Sequence, residues 1–125
     1  MNIYESAEDY LERILMLKNT KGSVRSIDIA HDMGYSKPSI SRAIKNLREA
    51  QFIDVLPGGI IELTEKGYQI ASRILERHHL LANLFIKLGV DAKIALEDAC
   101  KVEHDLSDET FAAIKRVYEK NWRQE

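Results

Sequence analysis

The sequence has almost no cysteine, no excess charge of either sign and no long apolar run, and each absence removes a class of protein. Cys100 stands alone among 125 residues, so no intrachain disulfide can form and a reducing compartment is expected. Lys and Arg number 18 against 20 Asp and Glu, a formal net charge of -2. Total charge therefore gives no general affinity for nucleic acid. No apolar run approaches the roughly 20 residues needed to span a bilayer. The start, Met1-Asn2-Ile3-Tyr4-Glu5, lacks the basic residues and apolar stretch of a signal peptide. Internal repeats, low-complexity segments and disordered linkers are also missing. These absences lead to the expectation of a soluble, cytoplasmic protein with no membrane partner. It should fold as one domain, or as two small units sharing a core.

Charge distribution says more than charge total. Residues 36–48 hold Lys37, Arg42, Lys45 and Arg48 with no acid among them. Residues 91–109 hold Asp91, Glu97, Asp98, Glu103, Asp105, Asp108 and Glu109 against Lys93 and Lys101. That asymmetry fits a basic surface and a separate region that attracts cations.

Apolar spacing predicts a helix over 4–18, with Ala7, Leu11, Ile14 and Leu15 facing inward. Lys21-Gly22-Ser23 breaks it. Ser26 is placed to cap a short helix over 27–33 with Ile27, Ile29, Ala30 and Met33 as its apolar residues. Gly34 ends that helix, and Ser36 caps another from Lys37 to about Ala50, with Pro38 in its first turn, where a missing N–H costs little. Its buried stripe is Ile40, Ala43, Ile44 and Leu47. Two short helices, a glycine-containing turn and a basic, hydroxyl-rich second helix describe a helix-turn-helix. Ser36, Lys37, Pro38, Ser39, Ser41, Arg42 and Lys45 are the candidate DNA-binding residues, placed for base edges and phosphates. The bland alternative is an amphipathic helix with a basic outer face.

The β-branched runs 52–56 and 60–63 flank Pro57-Gly58-Gly59 and predict a hairpin, which directly after a helix-turn-helix is a wing. Its tip carries no Lys or Arg. Thr64 then caps a long helix to about Leu88, closed by Gly89. The inward line of that helix is Ala71, Ile74, Leu75, His78, Leu81, Ala82 and Phe85, with His79 turned about 100° away. Asp91 starts a helix with Ala95, Ala99, Val102 and Leu106 as its core line. Ser107 caps a last helix carrying Phe111, Ile114, Val117 and Tyr118, and Trp122-Arg123-Gln124-Glu125 is expected to fray.

Cys100, Glu103 and His104, read as helix, fall at i, i+3 and i+4, which is one face. A thiol, a carboxylate and an imidazole turned the same way are three metal ligands within reach of one ion. Glu and His also share solvated faces without any ion. Asp9 and Glu12 allow the same two interpretations, since acids near a helix start also favour its dipole. His78, alone on an apolar line, is either a hydrogen-bonded core residue or a ligand.

Taken together, these motifs resemble the iron- and manganese-dependent repressors, the family of the diphtheria toxin repressor and the manganese transport regulator. The resemblance is carried by Glu8-Asp9-Tyr10-Leu11-Glu12, Ser36-Lys37-Pro38-Ser39, Leu63-Thr64-Glu65-Lys66-Gly67, Arg77-His78, Leu88-Gly89-Val90-Asp91 and the run from Cys100 to Ser107. It implies a mainly α protein, with a winged helix-turn-helix DNA-binding domain over 1–63 and a helical dimerisation and metal-binding domain over 64–125. It further implies metal ligands at Asp9, Glu12, His78, Cys100, Glu103 and His104, and one or two ions of Mn(II) or Fe(II) per subunit. A homodimer on a pseudo-palindromic operator in double-stranded DNA, near genes for metal uptake, follows from the same family.

The chain departs from both branches of that family. Manganese-type members have Glu where Cys100 stands, and iron-type members have Met where Asp9 stands. The iron-type second site needs His and Glu where this chain has Leu96 and Ala82. The C-terminal SH3-like domain of larger members is expected to be absent. Two other functions start from the same residues: a metal-independent regulator sensing a small molecule or redox state through Cys100, and a metallohydrolase. The hydrolase is disfavoured because no nucleophile cluster or Gly-rich loop accompanies the ligands.

Overall fold

The computed structural model describes residues 3–122, with side chains from Glu5 onward. The last three residues of the expected frayed end lie outside that range. The chain divides into two compact units, Met1–Arg73 and Ile74–Glu125. No helix among the described residues is long and apolar enough to cross a membrane.

The first unit begins with α1 (Ile3–Lys21), which packs on α2 (Ser26–Met33), α3 (Lys37–Glu49) and the second strand of the hairpin. Its buried apolar residues are Tyr10, Leu11, Ile14, Leu15, Leu17, Val24, Ile29, Ile40, Ile44, Leu47, Ile53, Ile61 and Ala71. The hairpin pairs β1 (Ile53–Val55) antiparallel to β2 (Ile61–Leu63), with Val55 opposite Ile61. A third partner joins outside the two strands: Ile61 N–H donates to the Val24 carbonyl at 2.7 Å. The wing is thereby tied to the segment between α1 and α2, so it is not a free two-stranded flap. Gly58 and Gly59 turn its tip at φ 85° and 82°, values that favour glycine.

Two local expectations need correction. Arg25, not Ser26, is the N-cap of α2. Its backbone N–H donates to the Asp28 carboxylate at 2.9 Å, and the Lys21 ammonium donates to the same group at 3.1 Å. These partners, Arg25 first, hold the Asp28 carboxyl below the usual carboxylate range. Ile27 is 63% exposed. It lies two residues, about 200°, from the buried Ile29, so the two cannot share a face on a helix this short.

The end of α3 uses an unexpected residue. Gln51 adopts φ 66°, and the N–H groups of Gln51 and Phe52 turn back onto the carbonyls of Arg48 and Leu47. This glycine-type helix stop is held from across the wing, because Thr64 Oγ1 donates to the Gln51 carbonyl at 2.8 Å. Thr64 also accepts the Gly67 N–H at 3.1 Å, the predicted cap of α4 (Glu65–Lys87).

α4 continues into the second unit, where α5 (Ala92–Val102) and α6 (Asp108–Asn121) follow. Asp91 and Ser107 cap them through the N–H groups of Lys93 and Thr110. Leu81 and Ala82 meet Ala99, surrounded by Phe85, Val102, Leu106 and Ile114. The helix expected to carry Glu103 and His104 ends before them. Glu103 is the C-cap of α5 and His104 lies in the following turn. Ser107 then caps the start of α6.

Gly67 sits inside a helix because nothing larger fits. A Cβ there would stand 2.0 Å from the Phe52 carbonyl oxygen, a backbone atom. Gly67→Ala should therefore lower stability by about 1–3 kcal/mol, the usual cost of overpacking, despite alanine's better helix propensity. Denaturant titration followed by circular dichroism checks this; unchanged or raised stability would contradict it.

Candidate DNA-reading face and metal centre

In the first unit, α3 is pinned at its start. The Ser36 side chain accepts the Ser39 N–H at 3.3 Å and donates to the Ser39 hydroxyl at 2.9 Å. Ile40, Ile44 and Leu47 anchor the inner face. Ser36, Lys37, Pro38, Ser41, Arg42 and Lys45 are exposed, and Ser39 is half-buried. The candidate DNA-binding residues thus share one accessible surface, with Ser36 and Ser39 partly occupied by capping.

Folding brings out two further exposed residues of the first unit. Arg25 Nε donates to the Gly58 carbonyl at 3.1 Å, placing a guanidinium at a wing tip whose own sequence carries no cation. The partners lie 33 residues apart, beyond what local pattern reveals. Ile27 lines a cleft with Lys37 and Ser41, and the 200° between Ile27 and Ile29 is the signal that could have found it.

Of the candidate metal ligands, Asp9 and Glu12 lie on α1 in the first unit. Asp9 is half-buried and Glu12 only 3% exposed, which takes Glu12 out of the class of solvated acids. Tyr10 between them has its pKa raised, first by burial and then by the charges of Tyr35 and Asp9.

The other four candidates converge in the second unit from three places: His78 on α4, Cys100 on α5, and Glu103 and His104 just after it. His78 Nδ1 lies 3.0 Å from Glu103 Oε2 and 3.7 Å from Cys100 Sγ. His104 Nε2 lies 3.5 Å from Glu103 Oε1. Glu103 is 0% exposed, and the His78 and His104 side chains are also buried. The helical spacing that suggested the set survives the helix end, because Glu103 keeps helical angles of φ -57° and ψ -27°. A buried carboxylate between two imidazoles, with a thiol beside one of them, is a mixed O, N and S donor set that fits a divalent first-row transition metal. His79 is exposed and outside this set.

Known protein families match both halves of the chain. Residues 2–59 match the profile described as the iron dependent repressor N-terminal DNA binding domain. Residues 64–121 match the iron dependent repressor metal binding and dimerisation domain. The transcriptional regulator MntR of Escherichia coli O157:H7 is 33% identical over 117 residues, covering 94% of this chain and 76% of that protein. An HTH-type transcriptional regulator of Methanocaldococcus jannaschii is 36% identical over 118 residues, covering 93% and 94%. Among solved structures, the manganese regulator SloR superposes with a TM-score of 0.78 at 27% identity over 90% of this chain. A manganese-dependent transcriptional repressor in complex with manganese gives 0.74 at 27% over 88%. The chain spans about half the length of those two solved chains, 53% and 51%.

Proposed function

Because the chain belongs to the iron-dependent repressor family, we propose that it is a homodimeric, metal-activated repressor of metal-ion uptake genes. It responds to Mn(II) or Fe(II), acts in the cytoplasm on double-stranded DNA and is not an enzyme. The observation that carries this is the buried Glu103 carboxylate beside His78 and His104, with Cys100 next to His78.

Bound, the ion supplies a divalent charge, held in this proposal by His78, Cys100, Glu103 and His104, with Asp9 and Glu12 added from the family's ligand positions; one or two ions bind per subunit. The remaining steps belong to the chain. The two copies of α3 in a dimer address the half-sites of a pseudo-palindromic operator. Ser36, Lys37, Pro38, Ser39 and Ser41 sit near the start of α3 for base edges and nearby phosphates. Arg42 and Lys45 meet phosphates further along. A ligand shifts a conformational equilibrium only by its differential affinity for the two states. Donors drawn from the DNA-binding part are therefore the ones that let metal affinity depend on the DNA-competent arrangement.

Four expected outcomes test this. Arg42→Ala and Lys45→Ala should weaken operator binding and reduce its salt slope by about one each, leaving metal affinity intact; unchanged operator affinity removes α3 from the DNA. Chelator should abolish operator binding by the wild-type chain, and Mn(II) or Fe(II) should restore it. Glu103→Ala and His104→Ala should then fail to respond to either metal while remaining folded dimers; full metal stoichiometry by calorimetry in His104→Ala would contradict the assignment. Cys100→Glu should favour Mn(II) over Fe(II), because a hard carboxylate replaces a soft thiolate, and should resist peroxide. An anaerobic titration that gives the wild-type metal preference in that variant would show that Cys100 does not set it.

A further inference from the structure

Arg77 precedes His78 in sequence and belongs to no donor set, yet its side chain is only 4% exposed. Nη1 donates to the main-chain carbonyls of Glu103 at 3.1 Å and Leu106 at 2.6 Å. Nη2 donates to Asp108 Oδ1 at 2.6 Å, and the guanidinium carbon lies 5.1 Å from the centre of the Phe111 ring. Every one of these contacts is to the turn after α5 or to the first residues of α6.

That turn is closed from within by the Asp105 N–H on the Val102 carbonyl at 3.0 Å and anchored from outside by Arg77. A helix leaves its last carbonyls unsatisfied, and a left-handed residue is the common way of turning the chain back onto them. Gly34 does this after α2 at φ 71°, and Gln51 after α3 at φ 66°. Glu103, the C-cap of α5, stays right-handed at φ -57°. Arg77 takes up its carbonyl and fixes the path from Glu103 through Leu106.

We infer that Arg77 is a positioning residue for the metal centre: it sets the angle at which Glu103 and His104 meet His78. This rests on the function proposed above. The geometry behind it is a lever of adjacent residues. α4 presents His78 to the Glu103 carboxylate and, one residue earlier, holds the Glu103 main chain. Donors 25 residues apart in sequence are thus set against each other by two neighbours on one helix. A guanidinium suits the task because its donors point in fixed, coplanar directions and can meet two carbonyls and a carboxylate together, whereas an ammonium is a point charge on a flexible stem. Groups that orient ligands in this way commonly change metal affinity by about 10- to 100-fold when altered.

Arg77→Lys keeps the charge and loses the fork. Asp108→Asn keeps both carbonyl bonds and loses the ion pair. For each full-length variant, helix content and dimer mass are measured without metal. Co(II) is then titrated anaerobically, following both affinity and the visible d–d absorption, which reports ligand geometry independently of DNA binding. Arg77→Lys should remain a folded dimer, lose about 10- to 100-fold in Co(II) affinity and show a displaced d–d band. Asp108→Asn should show a smaller change of the same kind. A folded Arg77→Lys with the wild-type affinity and band overturns the inference. If Arg77→Lys does not fold, Asp108→Asn decides: reduced affinity with a displaced band supports it, and wild-type values overturn it. A wild-type chain that takes up neither Co(II) nor Mn(II) overturns the metal proposal itself, and the role of Arg77 falls with it.

Discussion

Burial of the Glu103 carboxylate is the constraint on which the second unit depends. Removing a carboxylate from water costs several kcal/mol, even after relaxation, unless well-placed partners compensate. Here His78 Nδ1 meets one carboxylate oxygen at hydrogen-bond distance, 3.0 Å, and His104 Nε2 stands 3.5 Å from the other. An acid and two imidazoles packed so closely form a pocket of donors whose charge a divalent cation can balance on displacing protons. The residues that surround the carboxylate in the folded chain are therefore suited to receive metal.

The packing around these groups keeps three segments of backbone in place. Ala99 is fully buried against Leu81 and Ala82, and a side chain that small lets α5 approach α4 closely enough for Cys100 to reach His78. Leu106 and Ile114 close the cluster and carry the chain from the donor turn into α6. The first unit is organised for a different purpose. Its α3 is capped and has an apolar inner face, its wing is tied at Val24, and the outer side chains of α3 are left exposed. Coupling two such functions typically involves 1–3 kcal/mol, roughly a 5- to 150-fold change in affinity, which is within reach of a ligand that favours one arrangement.

Much of the fold was legible because helix boundaries carry chemical marks. Ser36, Thr64, Asp91 and Ser107 each cap the helix expected of them, and Pro57-Gly58-Gly59 turns the hairpin. Periodicity placed His78 on the inner line of α4 and His79 outside it. What was not legible depends on partners distant in sequence. Asp28 is what makes Arg25 the N-cap of α2, so preference for a hydroxyl pointed wrongly to Ser26. Gln51 stands where glycine is usual, held by Thr64 across the wing. The helix end at Val102 had no glycine to announce it, since Arg77, 26 residues before Glu103, meets the free carbonyl. Cys100, Glu103 and His104 still fall together as their i, i+3, i+4 spacing predicted although the helix stops short, because Glu103 retains helical angles.

Reciprocity gives the most direct test of metal-linked DNA binding. If one equilibrium joins the two ligands, operator DNA must raise metal affinity by the same factor as metal raises operator affinity. Mn(II) affinity of the full-length protein, measured by anaerobic titration with and without saturating operator duplex, supplies one side. Operator affinity measured with and without saturating Mn(II) supplies the other. The account predicts two equal factors, both well above one. Mn(II) affinity that does not change when the operator is bound would contradict it.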